Sequence, residues 1–331
     1  MDVLALFKKT AWKDCRLVLP EAEDQRILIA AGIAKRKGLA EPVLVGNRKR
    51  IDAAAKKAGI ALGGIRIFDT SKGVPKKYID AYARLRKVPA KLAQRMLESP
   101  LFLAALMVRM GEADALMGGA VFTSADVITA SEGIIGLRKG VAIPSSFFII
   151  ETPGYENGEG GLLLFADSSV NIEPTAAQMA DIAITTAHTA EELMGWTPRV
   201  AMLSFSTKGS AIHPRADKVI EATRIANRKA PKLAIDGELQ GDSALVEETA
   251  MNKMKGRIGK VAGRANVLIF PDLDSGNISY KLVQTLAKAN CYGPILQGFD
   301  KPVSNLSRGA KPDDIAGAIA ILSTWAKRAR G

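Results

Sequence analysis

The sequence predicts an α/β protein of two lobes, each a mainly parallel twisted sheet flanked by helices. Three observations carry that expectation. Strand-like apolar runs alternate with stretches of helical periodicity, the pattern of parallel strands joined by crossover helices. Small and polar residues gather just past those runs. The texture changes near residue 145, and 331 residues with 47% hydrophobic content can bury a substantial core.

In chain order, Arg16–Pro20 (RLVLP) reads as the first strand and Glu23–Lys37 as a helix with an apolar stripe that ends before Gly38. Pro42–Gly46 and Ile65–Phe68 read as further strands, 76–87 and 90–111 as helices, and Ala115–Gly118 as a strand. From 145, SSFFIIE and LLLFAD flank a glycine-rich stretch and read as an antiparallel hairpin. Thr175 with Gln178 fits a capping box opening a helix to about Leu193. Strands are predicted at Val200–Ser204, Leu233–Asp236, Val267–Phe270 and Ile295–Gln297, with helices at about 215–229 and 278–290. A boundary near 145 and a return crossing near 300 give a first lobe of 1–144 plus 303–331 and a second of 145–302.

Ligands of parallel α/β sheets sit beyond the carboxyl ends of the strands. Gly118-Gly119, Asp167-Ser168-Ser169, Ser204–Ser210, Asp236-Gly237, Pro271-Asp272 and Gln297-Gly298 all fall at predicted strand ends. Each alone is ordinary loop material; their coincidence argues for a cleft.

Near the C-terminus, a hydroxyl, a guanidinium and two carboxylates fall within eight positions, Ser307 to Asp314. Asn-Leu-Ser-Arg-Gly reads as a loop, and Pro312 suits the first turn of a helix striped by Ile315, Ala318, Ile319, Leu322 and Ala326. That helix would turn its N-terminal amides toward an anion held by Ser307 and Arg308. A neighbouring Asp can take a proton. The plainer alternative is that Asp313 or Asp314 only complements the helix dipole.

Composition narrows the classes. No apolar run approaches the roughly 20 residues of a membrane span, and the opening MDVLALFKKTAWKD lacks the apolar core of a secretory signal. Two cysteines, Cys15 and Cys291, offer neither a disulfide framework nor a thiol metal cluster, and two histidines argue against a histidine-rich metal site. The expectation is a reduced, cytoplasmic enzyme without a metal centre. Net charge is +12, which attracts anions, either nucleic acid or a phosphorylated small molecule. Aromatics are only 5%, and the basic residues are dispersed, with Arg48–Arg50 and Lys327–Arg330 read as solvated faces. Nucleic acid therefore has net charge alone behind it. No G-x-G-x-x-G follows the first strand, so a nicotinamide-dependent dehydrogenase lacks its fingerprint.

Several longer stretches carry a resemblance: VLPEAEDQRIL (18–28), VLVGN (43–47), LLFADSSV (163–170), VAMLSFSTKGSA (200–211), AIDGELQ (234–240), ANVLIFPDLDSGNISYK (265–281) and GPILQGFDKPVSNLSRG (293–309). In order and over essentially the whole chain, they resemble the phosphate acetyl/butyryl transferase family. The resemblance implies an isocitrate/isopropylmalate dehydrogenase-like fold with the active cleft between its lobes. It implies reversible acetyl transfer between acetyl phosphate and coenzyme A, with no redox cofactor and no structural metal, in a homodimer. By position, Ser307 and Arg308 match the family's Ser-Arg pair, Asp314 its proposed base, and Arg86 an arginine that contacts coenzyme A.

The family usually carries a second arginine in a Ser-Ser-Asp-x-x-Arg loop. Here Thr123, Ser124 and Asp126 keep the polar positions, but Thr129 stands where that arginine is expected. A short neutral side chain cannot make a bidentate phosphate contact; Arg138, with Lys139 beside it, is the candidate substitute. A second departure is the basic run MKGRIGK at Met254–Lys260. Three functions remain open within this resemblance: acetyl transfer, a propionyl or butyryl preference, and a non-catalytic acetyl-CoA sensor. The intact Ser307, Arg308 and Asp314 argue against the last.

Overall fold

The computed structural model describes residues 3–330. The chain divides into two compact units, one of Lys139–Gly298 and the other taking the described residues up to Arg138 and resuming at Phe299.

The second of these units opens with α1 (Val3–Thr10), β1 (Arg16–Leu19), α2 (Gln25–Arg36), β2 (Glu41–Gly46), α3 (Arg48–Lys57) and β3 (Arg66–Asp69). It continues through α4 (Lys76–Arg86), α5 (Ala90–Leu97), α6 (Pro100–Arg109), β4 (Ala115–Gly118) and α7 (Ser124–Ala130). The other unit holds β5 (Ser145–Glu151), the short turn α8 (Asn157–Gly160), β6 (Leu162–Ala166), α9 (Ala176–Thr189), β7 (Arg199–Leu203) and α10 (Pro214–Lys229). It ends with β8 (Ala234–Leu239), α11 (Gly241–Leu245), α12 (Glu247–Lys253), β9 (Val267–Ile269), α13 (Leu273–Leu286) and β10 (Asn290–Gln297). The chain then returns through β11 (Val303–Asn305) and α14 (Pro312–Arg328).

In the returning unit the strands run β3-β2-β1-β4-β11, all parallel. Their carboxyl ends therefore share one edge. β1 is apolar on both faces, with Leu17, Val18 and Leu19 fully buried, as a sheet covered by helices on each side requires. The last helix, α14, packs on α2 and α1. Gly317 makes that approach close: a Cβ there would lie 2.6 Å from Leu4 Cδ2.

In the unit Lys139–Gly298 the order is β10-β5-β6-β9-β7-β8. Only β5 runs against its neighbours, pairing antiparallel with β10 and β6; the hairpin read from SSFFIIE and LLLFAD is present. One core layer gathers Phe148, Ile150, Phe165, Leu203, Leu268 and Phe270. The Thr175–Gln178 capping box forms as read, with the Gln178 amide donating to the Thr175 hydroxyl and the Thr175 amide to Gln178 Oε1.

Several boundaries differ from expectation. The helix predicted at 90–111 is two helices, because Pro100 cannot continue one and instead begins the next. The helix predicted at 278–290 is Leu273–Leu286, started by the Asp272 carboxylate on the Ser275 amide. Asp236-Gly237 lies inside β8 rather than past its end.

Candidate functional site

The edge formed by the carboxyl ends of β1, β4 and β11 is assembled from main-chain amides and a few charged side chains. Glu21, just past β1, is buried and accepts three consecutive amides from the loop after β4: Ala120 at 2.9 Å, Val121 at 2.6 Å and Phe122 at 2.6 Å. Arg26, in the first turn of α2, grips both Asp24 oxygens, donates to the Ala120 carbonyl at 2.9 Å and donates to the Arg308 carbonyl. Burial pushes the Asp24 carboxyl up, but the Arg26 guanidinium and amide outweigh it and hold it below its usual range. One cation thus ties three loops together.

Gly119 turns the chain out of β4 with φ +104°, a conformation that favours glycine. A Cβ there would collide with Asn305 Oδ1, so the β11 loop can lie directly against it. The Leu306 amide donates to the Gly118 carbonyl at 2.7 Å, and Asn305 Nδ2 donates to Ser124 Oγ at 2.7 Å. Asn305 Oδ1, buried, has no donor among the described residues.

Ser307, Arg308 and Gly309 are exposed on this edge. The loop closes on itself, with the Ala310 amide on the Ser307 carbonyl at 2.9 Å and the Gly309 amide on Ser307 Oγ at 3.4 Å. Ser307 and Ser124 both accept through oxygen, which leaves each hydroxyl proton available to an anion. Thr123 and Asp126 differ. The Thr123 hydroxyl and amide donate to Asp126 Oδ2 at 2.7 and 2.9 Å, and the Asp126 amide returns a bond to Thr123 Oγ1. These bonds, the hydroxyl first, hold the exposed Asp126 carboxyl below its usual range. The pair caps α7.

Asp314 accepts the Lys311 amide through Oδ2 at 3.0 Å, so it bonds the start of α14 as well as sitting where it complements the helix dipole. Pro312 occupies the first turn as expected. The structure therefore brings Ser307, Arg308 and Asp314 to the same loop edge as Thr123, Ser124 and Asp126. Arg86 lies at the other end of α7: it ends α4 and donates to the Gly133 carbonyl at 3.0 Å, in the helical turn that prolongs α7. Arg138 is half-buried just past the bridge pairing Leu137 with Phe299. Thr129 is exposed on α7.

Sequence reading passed over Glu21, Arg26 and Asn305 as working parts. The available signal was an acid directly after an apolar strand in LPEAEDQR, where a buried carboxylate demands amide partners. Neither cysteine offers a ready nucleophile, since burial pushes Cys15 up to about 12 and Cys291 up to about 11. No group of three or more His, Cys, Asp or Glu among the described residues could hold a metal ion.

This chain belongs to the phosphate acetyl/butaryl transferase family, whose model matches residues 3–323. It is similar to a phosphate acetyltransferase of Thermoanaerobacterium thermosaccharolyticum, 45% identical over 98% of this chain and 99% of that protein. A crystal structure of a phosphotransacetylase from Streptococcus pyogenes superimposes with TM-score 0.91 at 37% identity, covering 99% of both chains. The EutD phosphotransacetylase from Staphylococcus aureus gives TM-score 0.89 at 33% identity, covering 98% of both.

Proposed function

We infer that this protein is a phosphate acetyltransferase, moving an acetyl group between acetyl phosphate and coenzyme A. The observation that carries the reading is end-to-end similarity to phosphate acetyltransferases at 45% identity, joined to a Ser307-Arg308 loop presented on a sheet edge.

The roles we assign follow from hydrogen-bonding capacity. A coenzyme A thiol, with a reference pKa near ~8.5, is mostly protonated at neutral pH and needs a base. Asp314 takes that proton; its carboxylate is aimed by the Lys311 amide it caps. The thiolate attacks the acetyl carbon, the C–O bond to phosphate breaks, and phosphate leaves with the electron pair. Charge growing on the carbonyl oxygen and phosphate meets Arg308 and the free hydroxyl protons of Ser307 and Ser124. Thr123 and Asp126 hold the start of α7 so that Ser124 stays in place. Arg86 and Arg138 contribute positive charge for the phosphates of coenzyme A. The step uses no resident metal or redox cofactor, because acyl phosphate and thiol bring leaving group and nucleophile themselves.

The compartment we propose is the cytoplasm, supported by two free cysteines; no helix among the described residues is long and apolar enough to cross a membrane. A homodimer is supported by α13, whose Ile278, Leu282 and Leu286 are 55%, 52% and 77% exposed at four-residue spacing. We assign no nucleic-acid partner.

The test is a coupled assay of acyl-phosphate formation from acetyl-, propionyl- and butyryl-CoA with inorganic phosphate. Acetyl-CoA is expected to give the highest kcat/KM. Turnover with none of the three overturns the reading.

A further inference from the structure

A cavity of about 380 Å³ opens within the unit Lys139–Gly298, at the carboxyl ends of β7 and β9, inside the ~300–1,000 Å³ range of small-molecule pockets. It shares no residue with the loops around Ser307. Leu203 and Phe270 give it apolar walls, and Phe205 adds an aromatic ring left 54% exposed. An exposed ring beside a cavity is a ready stacking surface for a planar ligand.

Charge supplies the second half. Arg215 and Lys218, both near the start of α10, line the cavity. Lys218 Nζ donates to the Pro271 carbonyl at 2.8 Å, which fixes the ammonium while leaving two protons unspent. The Arg215 guanidinium has no hydrogen bond or ion pair among the described residues. Asp272, also in the lining, is engaged in capping α13 through the Ser275 amide. The adjacent loop Ser204–Ser210 is not a competing anion cradle. Three of its amides are already bonded: Ser206 to Ser204 Oγ, Thr207 to Ser210 Oγ, and Gly209 to Glu238 Oε1 on β8. Its Lys208 ammonium is neutralised by Asp236. Within this lining, uncommitted positive charge belongs to Arg215 and Lys218.

We propose that this cavity binds a nucleotide, its base against Phe205 and the apolar walls and its phosphates on Arg215 and Lys218. The occupant this chemistry fits is a free nucleotide, with coenzyme A left to the loops around Ser307.

Isothermal titration of the full chain with ADP and with inorganic pyrophosphate tests it, and needs no catalytic activity to be read. ADP is expected to bind saturably, one per chain, and Arg215→Ser with Lys218→Ser to weaken it by about tenfold or more, as for loss of charge-assisted bonds. Phe205→Ala should weaken ADP severalfold and leave pyrophosphate unchanged. Circular dichroism of each variant verifies the fold. An unchanged KM for coenzyme A alongside lost ADP binding is expected of a site for a free nucleotide; a KM that rises with the loss of ADP binding overturns it. The proposal is overturned if ADP does not bind the wild-type chain at millimolar concentration, if the double variant binds it equally well, or if pyrophosphate binds as tightly as ADP.

Discussion

With its main-chain carbonyl held by Arg26 and its side chain exposed, Arg308 can lend its guanidinium to a reacting anion without disturbing the loop. Arg308→Ala should therefore leave the melting temperature near wild type and lower kcat by ~10²–10³, the usual cost of one preorganised donor. A kcat within a few-fold of wild type would remove Arg308 from the chemistry. Asp314→Asn keeps an acceptor for the Lys311 amide but cannot take a thiol proton, so the pH–rate profile should lose its dependence on that base while the helix start survives. An unchanged profile counts against the role. Thr129→Arg restores a guanidinium on the exposed face of α7 and should lower the KM for coenzyme A, by up to ~1.5–3 kcal/mol for a charged hydrogen bond. The run from Ser307 to Asp314 is legible in sequence because its chemistry is contiguous. The scaffold beneath is not. Asn305 and Ser124 are 181 positions apart, and the Glu21 carboxylate meets amides about 100 positions away. No local pattern encodes those pairings.

Elements were readable wherever period and cap agreed. α9 announces itself by Thr175 and Gln178, and the β5–β6 pair by its glycine-rich turn. α3 shows why others were missed: Arg48–Lys57 buries only Ile51 and Ala55 and is otherwise charged or small, so it presents almost no apolar stripe. β11 is three residues long and shows no alternation to detect. A third feature invisible to periodicity is the clamp at Asp114, before β4. Its carboxylate takes the Arg16 amide and guanidinium from β1 and Arg330 from beyond α14. Burial pushes this carboxyl up, yet the Arg16 hydrogen bonds and the two positive charges hold it below its usual range. A folded-state pKa lower than the unfolded value, ~3.9, contributes stability that is fully present above pH ~4 and lost as pH falls through the folded value. Asp114→Asn should thus destabilise the protein at pH 7 by about 3 kcal/mol, the low end for breaking a buried pair because both guanidiniums reach water. The difference from wild type should shrink toward pH 2. Urea midpoints measured between pH 7 and 2 check this; a constant difference would contradict it.

At the scale of the molecule, excess positive charge and an unpartnered helix face are the two features that no single site explains. The net charge of +12 favours encounter with phosphorylated substrates. Raising ionic strength from about 0.05 to 0.5 M shortens the screening length to a few ångströms, so KM for coenzyme A should rise while kcat stays nearly constant. The helix face argues for assembly. Tyr280 and Val283 turn one side of α13 onto the core of its unit, while Ile278, Leu282 and Leu286 place three large apolar side chains on the other. Such a stripe, repeated every fourth residue, is self-complementary under a two-fold axis, the commonest symmetry of homo-oligomers. Leu282→Glu puts a charge at its centre, where pairing would bury it against its own copy. Wild-type protein should sediment at twice the 35.2 kDa chain mass and the variant at the single-chain mass, with the acetyl-transfer assay showing whether the separated chain still turns over. A wild-type protein that sediments as one chain, or a variant that remains paired, would take α13 out of the interface and leave its apolar stripe to another partner.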